Sequence, residues 1–579
     1  MPYSKRAPKW EIQLKKAEAS LEYLRKLFIM PDSPDKFMEF GYAVLEMIHD
    51  FFQEKKGLHK KITLPELAQI FDETSMPVGP YLIRHVLQEI KEKITVHSVR
   101  VGSPYYIGHM TSAIPYFMVL LEIIIAALNQ NQVKIETAKA SSFVERELVA
   151  WIHRMIFNRD ERFYRKHIQD PRVALGNVTS GGTMSNLTAL AVARERAFPT
   201  DGGFPGIRKA GVERALSYYG YSRMMVIVSA RGHYSIRKSA NLLGLGEENV
   251  INIPVDSHNR IDINALRRRI ASIKRNDLRE GKRTKIMAIV GIAGTTETGN
   301  IDSLTELGEV ARQEGAYFHV DAAWGGAALI VDEYRPLFQG IERADSVAVD
   351  AHKLLYCPMA MGIIVFRNEK DLNLLKQVSQ YVNRPDSVDA GRFTIEGSRP
   401  FACLKPWAAL KIIGKEGYRL LLKHAQEATS TFKRILEDSG NFEILNHPEL
   451  FILNYRLVPP FIRERFHEWG ERRDLPDPHH MRDVRKKIRR INEILNDMNV
   501  VLQKSIRQDD TTFVSRTTLE STRYRPQKIV VLRAVLINPL INDGILRRIV
   551  STQESIGLKL MDRFGPKLRE ALKLNSPKV

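Results

Sequence analysis

Three side chains past the middle of the sequence have the types and spacing that carbonyl chemistry needs. Asp350, His352 and Lys353 follow the short apolar run 346–349 in DSVAVDAHKLLYCPMAMG. Such a run reads as a buried parallel strand that delivers polar groups at its tip. An amine held there, among small and apolar neighbours, is the residue type that attacks a carbonyl. Upstream, AYFHVDAAWGG repeats the pattern and sets Asp321 at a second strand end, with the small Ala322 and Ala323 beside it. A strand-end lysine on its own is ordinarily a solvated boundary residue. An acid and a lysine on two such strands suggest a shared site.

That pair suggests pyridoxal phosphate, which needs a lysine for its aldehyde, an anion for its pyridine nitrogen, a phosphate cradle and a flat cover for its ring. The cradle candidate is GNVTSGGTMSN, residues 176–186. Gly181 and Gly182 let the backbone approach an anion, Thr183 adds a hydroxyl, and a helix that follows directly aims its first amides there. The cover candidate is His233 in SARGHYS, just after the apolar run 224–229. Read singly, the glycine pair is a turn and the histidine a packed core residue; in combination they complete the set.

In chain order the sequence carries TSGGT, GHYS, GTTETGNID, HVDAAWGG and DAHK. These ordered motifs resemble the group II pyridoxal-dependent amino-acid decarboxylases, over roughly residues 103–539. SPYYIGHMTSAIPYFMVLLEIIIAALNQNQ, FVSRTTL and VVLRAVLINP are similar to the bacterial aspartate-specific branch of that family. The resemblance implies an α/β pyridoxal-phosphate fold of type I with a mainly parallel central sheet, an N-terminal helical segment (1–103), a large cofactor-binding domain (104–405) and a smaller α+β C-terminal domain (406–579). It also implies a homodimer whose active site lies at the interface.

The same resemblance implies residue roles. Lys353 holds the cofactor, Asp321 keeps its pyridine nitrogen protonated, His233 stacks on the ring and Ala323 packs beneath it. Gly181, Gly182, Thr183 and His352 hold the phosphate, with Ser398 reaching the phosphate of a neighbouring subunit. Thr296 and Asp350 lie near the ring substituents, although family members often carry asparagine or serine where Asp350 stands. Tyr381, on a polar stretch after the lysine strand, returns a proton to the substrate. Arg533 grips a substrate carboxylate, a task suited to its bidentate fork. Tyr105, His109 and Thr111 are further substrate-side candidates, and Arg516 and Arg399 weaker ones. Aspartate and glutamate remain alternatives as substrate, beside an aromatic amino acid or a carbon–carbon bond cleavage in a phosphorylated amine.

The elements that must position these residues follow from pattern. From about 145 to 367, helical stretches alternate with apolar runs at 224–229, 286–292, 317–321, 346–349 and 362–366. That alternation argues for a sheet with helices on both faces and ligands at the carboxyl ends of the strands. Residues 14–28 and 36–52 read as N-terminal helices, 198–211 as a surface loop and 377–400 as a loop. A linker helix (406–413) leads to a helix over 418–436 and strands over 451–457 and 529–536, with an exposed insertion at 459–480. The basic run MRDVRKKIRRINEILNDMNVVLQ keeps apolar residues at helical spacing, so it reads as a docked amphipathic helix.

Composition narrows the rest. The chain has 579 residues and a formal net charge of +20, with no zinc-finger or RNA-recognition signature. We therefore expect no nucleic-acid partner. The longest apolar run, 117–128, contains Glu122 and is too short for a bilayer, and the N-terminus lacks a signal-peptide core. A soluble, cytoplasmic protein with no membrane partner is expected. Two cysteines exclude a disulfide framework and fit a reducing compartment.

Overall fold

The computed structural model describes residues 20–55, 57–377, 387–471 and 478–573. Seven strands form the central sheet: β1 (Gly176–Thr179), β2 (Arg223–Ser229), β3 (Val250–Ile253), β4 (Thr284–Ile292), β5 (Tyr317–Asp321), β6 (Ser346–Asp350) and β7 (Gly362–Phe366). Their spatial order is β1-β7-β6-β5-β4-β2-β3. Pairings among β6, β5, β4, β2 and β3 are parallel, whereas β7 runs antiparallel to both its neighbours. The expected mainly parallel sheet is present, with one strand reversed. The strands from β4 to β7 are buried almost throughout, as sheets covered on both faces require. On one face Leu190, Val226, Ile236 and Ala288 pack together, and on the other Leu148, Ile227, Phe318 and Val347.

A second sheet, wholly antiparallel, contains β8 (Phe442–Ile444), β9 (Ile452–Leu457), β10 (Ser515–Leu519) and β11 (Ile529–Val535), in the order β10-β11-β9-β8. The helices Gly414–Asp438, Pro478–Asp509 and Asp543–Lys573 pack on it through Phe432, Leu495, Leu502, Ile549 and Leu560. The basic run belongs to the second of these helices and docks by its apolar stripe, as the spacing predicts.

Several sequence expectations change. Phe198 and Phe204 are fully buried, so the segment 198–211 is anchored rather than a free surface loop, and the helix Ile207–Tyr219 begins inside it. The first part of the expected exposed insertion at 459–480 is helical and anchored: the helix Pro460–Glu471 docks through the fully buried Ile462. Within 14–28 only Leu21–Arg25 is helical among the described residues. The helix Phe37–Gln53 does form, and it buries none of its residues; Phe37, Met38, Tyr42, Leu45 and Phe52 are exposed.

Two clips join distant parts of the chain. Asp510 receives the backbone N–H groups of Leu58 and His59 on its Oδ1, at 3.2 and 3.1 Å. Ile107 donates its N–H to Phe513 and accepts one from Val535. These bonds bring residues 105–109 against the β10–β11 edge, and with it toward the carboxyl ends of the central strands.

Candidate active site

Asp321 and Asp350 are the last residues of β5 and β6, which neighbour one another, so both carboxylates emerge at the same end of the sheet. The turn after β6 brings Lys353 back over Asp350, its Nζ 2.9 Å from Asp350 Oδ2. The other oxygen of Asp350 is buried without a hydrogen-bond partner. His352 Nε2 lies 3.6 Å from the same carboxylate. Asp350 is therefore the counter-ion of the lysine here.

Asp321 is held rigidly. Its Oδ1 accepts the N–H of Ala323 at 3.1 Å and its Oδ2 an N–H from Asn186 at 2.8 Å. Asn186 lies on the helix Gly182–Ala197, whose start is the expected cradle. Gly181 adopts φ +140°, which disfavours a side chain, and a Cβ on Gly182 would sit 3.0 Å from Asp350 Oδ2 and 3.2 Å from the Ala323 methyl. Backbone and space thus favour glycine where the helix meets the site, and the amides of Gly182 and Thr183 at its start have no intrahelical acceptor, Met184 being the first to bond back, to the Gly181 carbonyl. His233 caps the helix Tyr234–Leu242 with its Nδ1, which accepts the Ser235 N–H at 3.3 Å. Burial lowers its imidazole pKa, and Asp321 opposes that shift while Lys353 reinforces it.

The second sheet supplies a cation. Arg533, on β11, is only 7% exposed. Its Nε donates to the Thr296 carbonyl at 2.7 Å, and its Nη1 to the Gly108 carbonyl at 3.3 Å and to Ser515 Oγ at 3.1 Å. Its Nη2 is buried with no acceptor. Burial pushes its pKa down to about 10, against the pull of the nearby Glu297. His109, bonded to the Thr111 hydroxyl at 2.7 Å, feels the charges of Arg533, Lys353 and His352, which lower its pKa further after desolvation. Tyr105 and His352 line a cavity of about 1030 Å³ that extends to Arg548, Met359 and Phe52.

Lys353, Asp350, His352, Asp321, Ala323, Gly182 and His233 are thus brought together, with Arg533, Thr296 and His109 beside them. Ser398 is not among them in this single chain: its hydroxyl accepts from Asn131 at 3.0 Å. Arg399 is buried in an ion pair with Glu145 at 2.9 Å and also holds the Val178 carbonyl, so it supports β1 and is not a substrate ligand. Arg516 turns away to the Val500 carbonyl of the helix Pro478–Asp509. Tyr381 lies outside the described residues. Four residues escaped the sequence reading: Asn186, Ser235 and His319, which support Asp321 and His233, and Glu297, whose Oε2 is buried and unpaired. The one signal available for His319 is its place two residues before Asp321, which puts both on one face of β5.

The residues present fit pyridoxal phosphate. A lysine amine, a fixed carboxylate, an imidazole and a glycine-opened helix N-terminus converge at one end of the sheet, and the orphaned Asp350 oxygen and Arg533 nitrogen face unfilled polar roles. No group of three or more metal-ligating side chains occurs among the described residues. Fold and site together define an α/β enzyme of pyridoxal-phosphate fold type I.

A family model, the pyridoxal-dependent decarboxylase conserved domain, matches residues 65–458. The chain is 38% identical to an aspartate 1-decarboxylase of Aliivibrio fischeri, over 94% of this chain and 95% of that protein. It is 28% identical to an L-2,4-diaminobutyrate decarboxylase of Rhizobium meliloti, over 72% of this chain and 77% of that one. The structure of the glutamate decarboxylase domain of a Vibrio parahaemolyticus protein, described as diaminobutyrate-pyruvate transaminase and L-2,4-diaminobutyrate decarboxylase, superimposes with a TM-score of 0.74 at 21% identity. It covers 93% of this chain and 99% of that one. The chain belongs to the pyridoxal-dependent decarboxylase family.

Proposed function

We propose that this enzyme removes the α-carboxyl group of a short acidic L-amino acid, aspartate before glutamate. The observation that carries the acidic reading is Arg533, a buried guanidinium beside the site with one nitrogen that has no acceptor. The likeness to the Aliivibrio fischeri aspartate 1-decarboxylase, nearly end to end, supports aspartate in particular. When bound, pyridoxal phosphate supplies the carbonyl that an amine can join and a ring that accepts electrons. The Lys353 amine would hold the cofactor through that carbonyl. The Asp321 carboxylate, fixed by Ala323 and Asn186, holds a proton on the ring nitrogen. Gly181, Gly182, Thr183 and His352 would hold its phosphate, His233 and Ala323 would contact its ring, and Thr296 fixes Arg533 through its carbonyl. Tyr105 and His109 line the approach, and Tyr381 returns a proton to the substrate α-carbon.

The same proposal includes the three-part division of the chain at 103 and 405, a cytoplasmic location and a homodimer. The exposed apolar face of the helix Phe37–Gln53 and of Tyr116–Leu128 supports the dimer, as does Ser398, which finds no place in the site of its own chain. A second reading rests on Glu297, whose unpaired carboxylate oxygen lies near Arg533 and suits a cationic substrate side chain such as that of 2,4-diaminobutyrate.

One experiment separates these readings. Carbon dioxide release is measured for aspartate, glutamate, 2,4-diaminobutyrate and an aromatic amino acid, on protein whose borohydride-labelled lysine has been mapped. Aspartate should lead, the label should fall on Lys353, and the protein should sediment as a dimer. Faster turnover of 2,4-diaminobutyrate or the aromatic substrate removes the acidic reading; a label elsewhere removes Lys353.

A further inference from the structure

We propose that Asn186 and Ser235 fix His233 as the tautomer protonated on Nε2, so that His233 serves the site as a hydrogen-bond donor and not as a proton acceptor. The inference rests on the reading of His233 as a site residue and adds a direction to its chemistry.

The direction follows from a chain of bonds that begins at Asp321. An ionised carboxylate only accepts, so the Asn186 atom 2.8 Å from Asp321 Oδ2 is the amide nitrogen. That leaves the amide oxygen toward His319 Nε2 at 2.9 Å, which therefore carries a proton and donates it. His319 is fully buried, and its Nδ1 lies 2.9 Å from the Ser346 hydroxyl, which can donate to it, and 3.2 Å from the Ser346 carbonyl. The second hydrogen of the Asn186 amide reaches Ser235 Oγ at 2.9 Å. With an oxygen lone pair so engaged, the Ser235 hydroxyl hydrogen is free to point at His233 Nδ1, 2.8 Å away.

A second, longer bond acts in the same direction. The Ser235 backbone N–H is an unambiguous donor, and it too points at His233 Nδ1, at 3.3 Å. Nδ1 thus receives two hydrogens and can hold none of its own. A neutral imidazole then carries its proton on Nε2. Burial disfavours the charged form, in the presence of Asp321, Asp350, Glu297 and Lys353 around the ring. With both lone-pair and proton positions assigned, His233 has no free basic nitrogen to offer a reacting group. It presents one N–H, suited to an oxygen acceptor.

Asn186 and Ser235 are positioning residues in this account. The carboxylate that faces the ring nitrogen and the histidine beside the ring share one ordered set of protons, with Asn186 as the branch point. Asn186→Asp replaces the donor with an acceptor, and the Ser235 hydroxyl then turns to it and away from His233.

Histidine-specific 15N labelling of the cofactor-free and cofactor-loaded enzyme reads the tautomer directly, with the His233 signals identified by their loss in His233→Gln. At pH 7.5 the wild-type Nε2 should show a protonated, pyrrole-type shift and Nδ1 an unprotonated, pyridine-type one. Ser235→Ala deletes the shorter bond and keeps only the 3.3 Å backbone one, so both shifts should move part of the way toward those of a mixed population, and Asn186→Asp should do the same. Ser235→Thr, which keeps the hydroxyl, should restore the wild-type pattern. If Asn186→Asp does not fold, the Ser235 pair decides. A wild-type His233 protonated on Nδ1 or on both nitrogens overturns the proposal, and so does a pattern unmoved by Ser235→Ala. Neither result touches the choice of substrate, which carbon dioxide release decides separately.

Discussion

At the scale of single residues, chemistry that sits at strand ends was legible and chemistry that bridges elements was not. Lys353, Asp321 and His233 each follow an apolar run, so their places at the ends of β6, β5 and β2 could be read from pattern alone. Asn186 and Ser235 are an ordinary amide and hydroxyl on helices, and their meaning arises only when β5 brings Asp321 to Asn186, which also bonds Ser235. Arg533 stands between these cases. Its strand was readable, but not that Thr296, Gly108 and Ser515 would occupy three of its bonds and leave Nη2 open. Removal of that donor in Arg533→Ala should lower kcat/KM for aspartate by about tenfold to a hundredfold, the worth of a charged hydrogen bond of roughly 1.5–3 kcal/mol. Unchanged kinetics would take Arg533 out of the site. Tyr381→Phe keeps the ring and deletes the acidic proton, so the normal amine product should give way in part to a carbonyl product. Product analysis by mass spectrometry that finds only the amine, at full rate, leaves Tyr381 without that role.

At the scale of elements, the short strands were the ones overlooked. β1 is Gly-Asn-Val-Thr and β3 is Val-Ile-Asn-Ile, four residues each, too brief for a period-two signal to stand out. β1 nevertheless decides where the cradle lies. It enters the sheet beside β7, where a Cβ on Gly176 would lie 2.0 Å from the Ile364 carbonyl, and then delivers Gly181 and Gly182 to the tips of β5 and β6. Arg399 and Glu145 brace the same strand from below by bonds to both the carbonyl and the N–H of Val178. The fit at Gly182 permits a targeted change. In Gly182→Ala the new methyl meets Asp350 Oδ2 at 3.0 Å and the Ala323 methyl at 3.2 Å, so the helix start must withdraw by a few tenths of an ångström. Cofactor affinity should fall while the unfolding temperature of the cofactor-free protein stays near wild type. Titration of cofactor absorbance against protein measures the first, calorimetry the second. Equal affinity would show that this helix end does not face the cofactor.

At the scale of the whole molecule, the large domain was readable from its alternation, whereas the exposed faces of Phe37–Gln53 and Tyr116–Leu128 were not, because spacing alone does not tell which surface a helix buries against. Two buried imidazoles tie global stability to acidity. His153 is lowered from the usual 6.5 to about 3 and His319 to about 4, both chiefly by burial. The unfolded chain takes up these protons near pH 6.5 and the folded chain only well below it. The stabilisation is therefore complete above 6.5 and is lost as pH falls toward 4, at about 1.4 kcal/mol per pH unit for each group. Urea unfolding between pH 7 and 4.5 should show that slope, and His153→Asn should flatten it; an identical slope in the variant would exclude His153 as a source. The separation of Lys353 from Arg533 along the chain has a consequence during synthesis. The central sheet and its lysine leave the ribosome before β10 and β11 exist, and the clips at Asp510 and Phe513 that seat residues 58 and 107 are also still to come. At ordinary translation speeds the gap lasts roughly 10–40 s. For that interval the nascent chain carries the residues proposed to hold the cofactor and lacks the guanidinium proposed to bind the substrate, so on that reading cofactor loading can precede the birth of substrate selectivity.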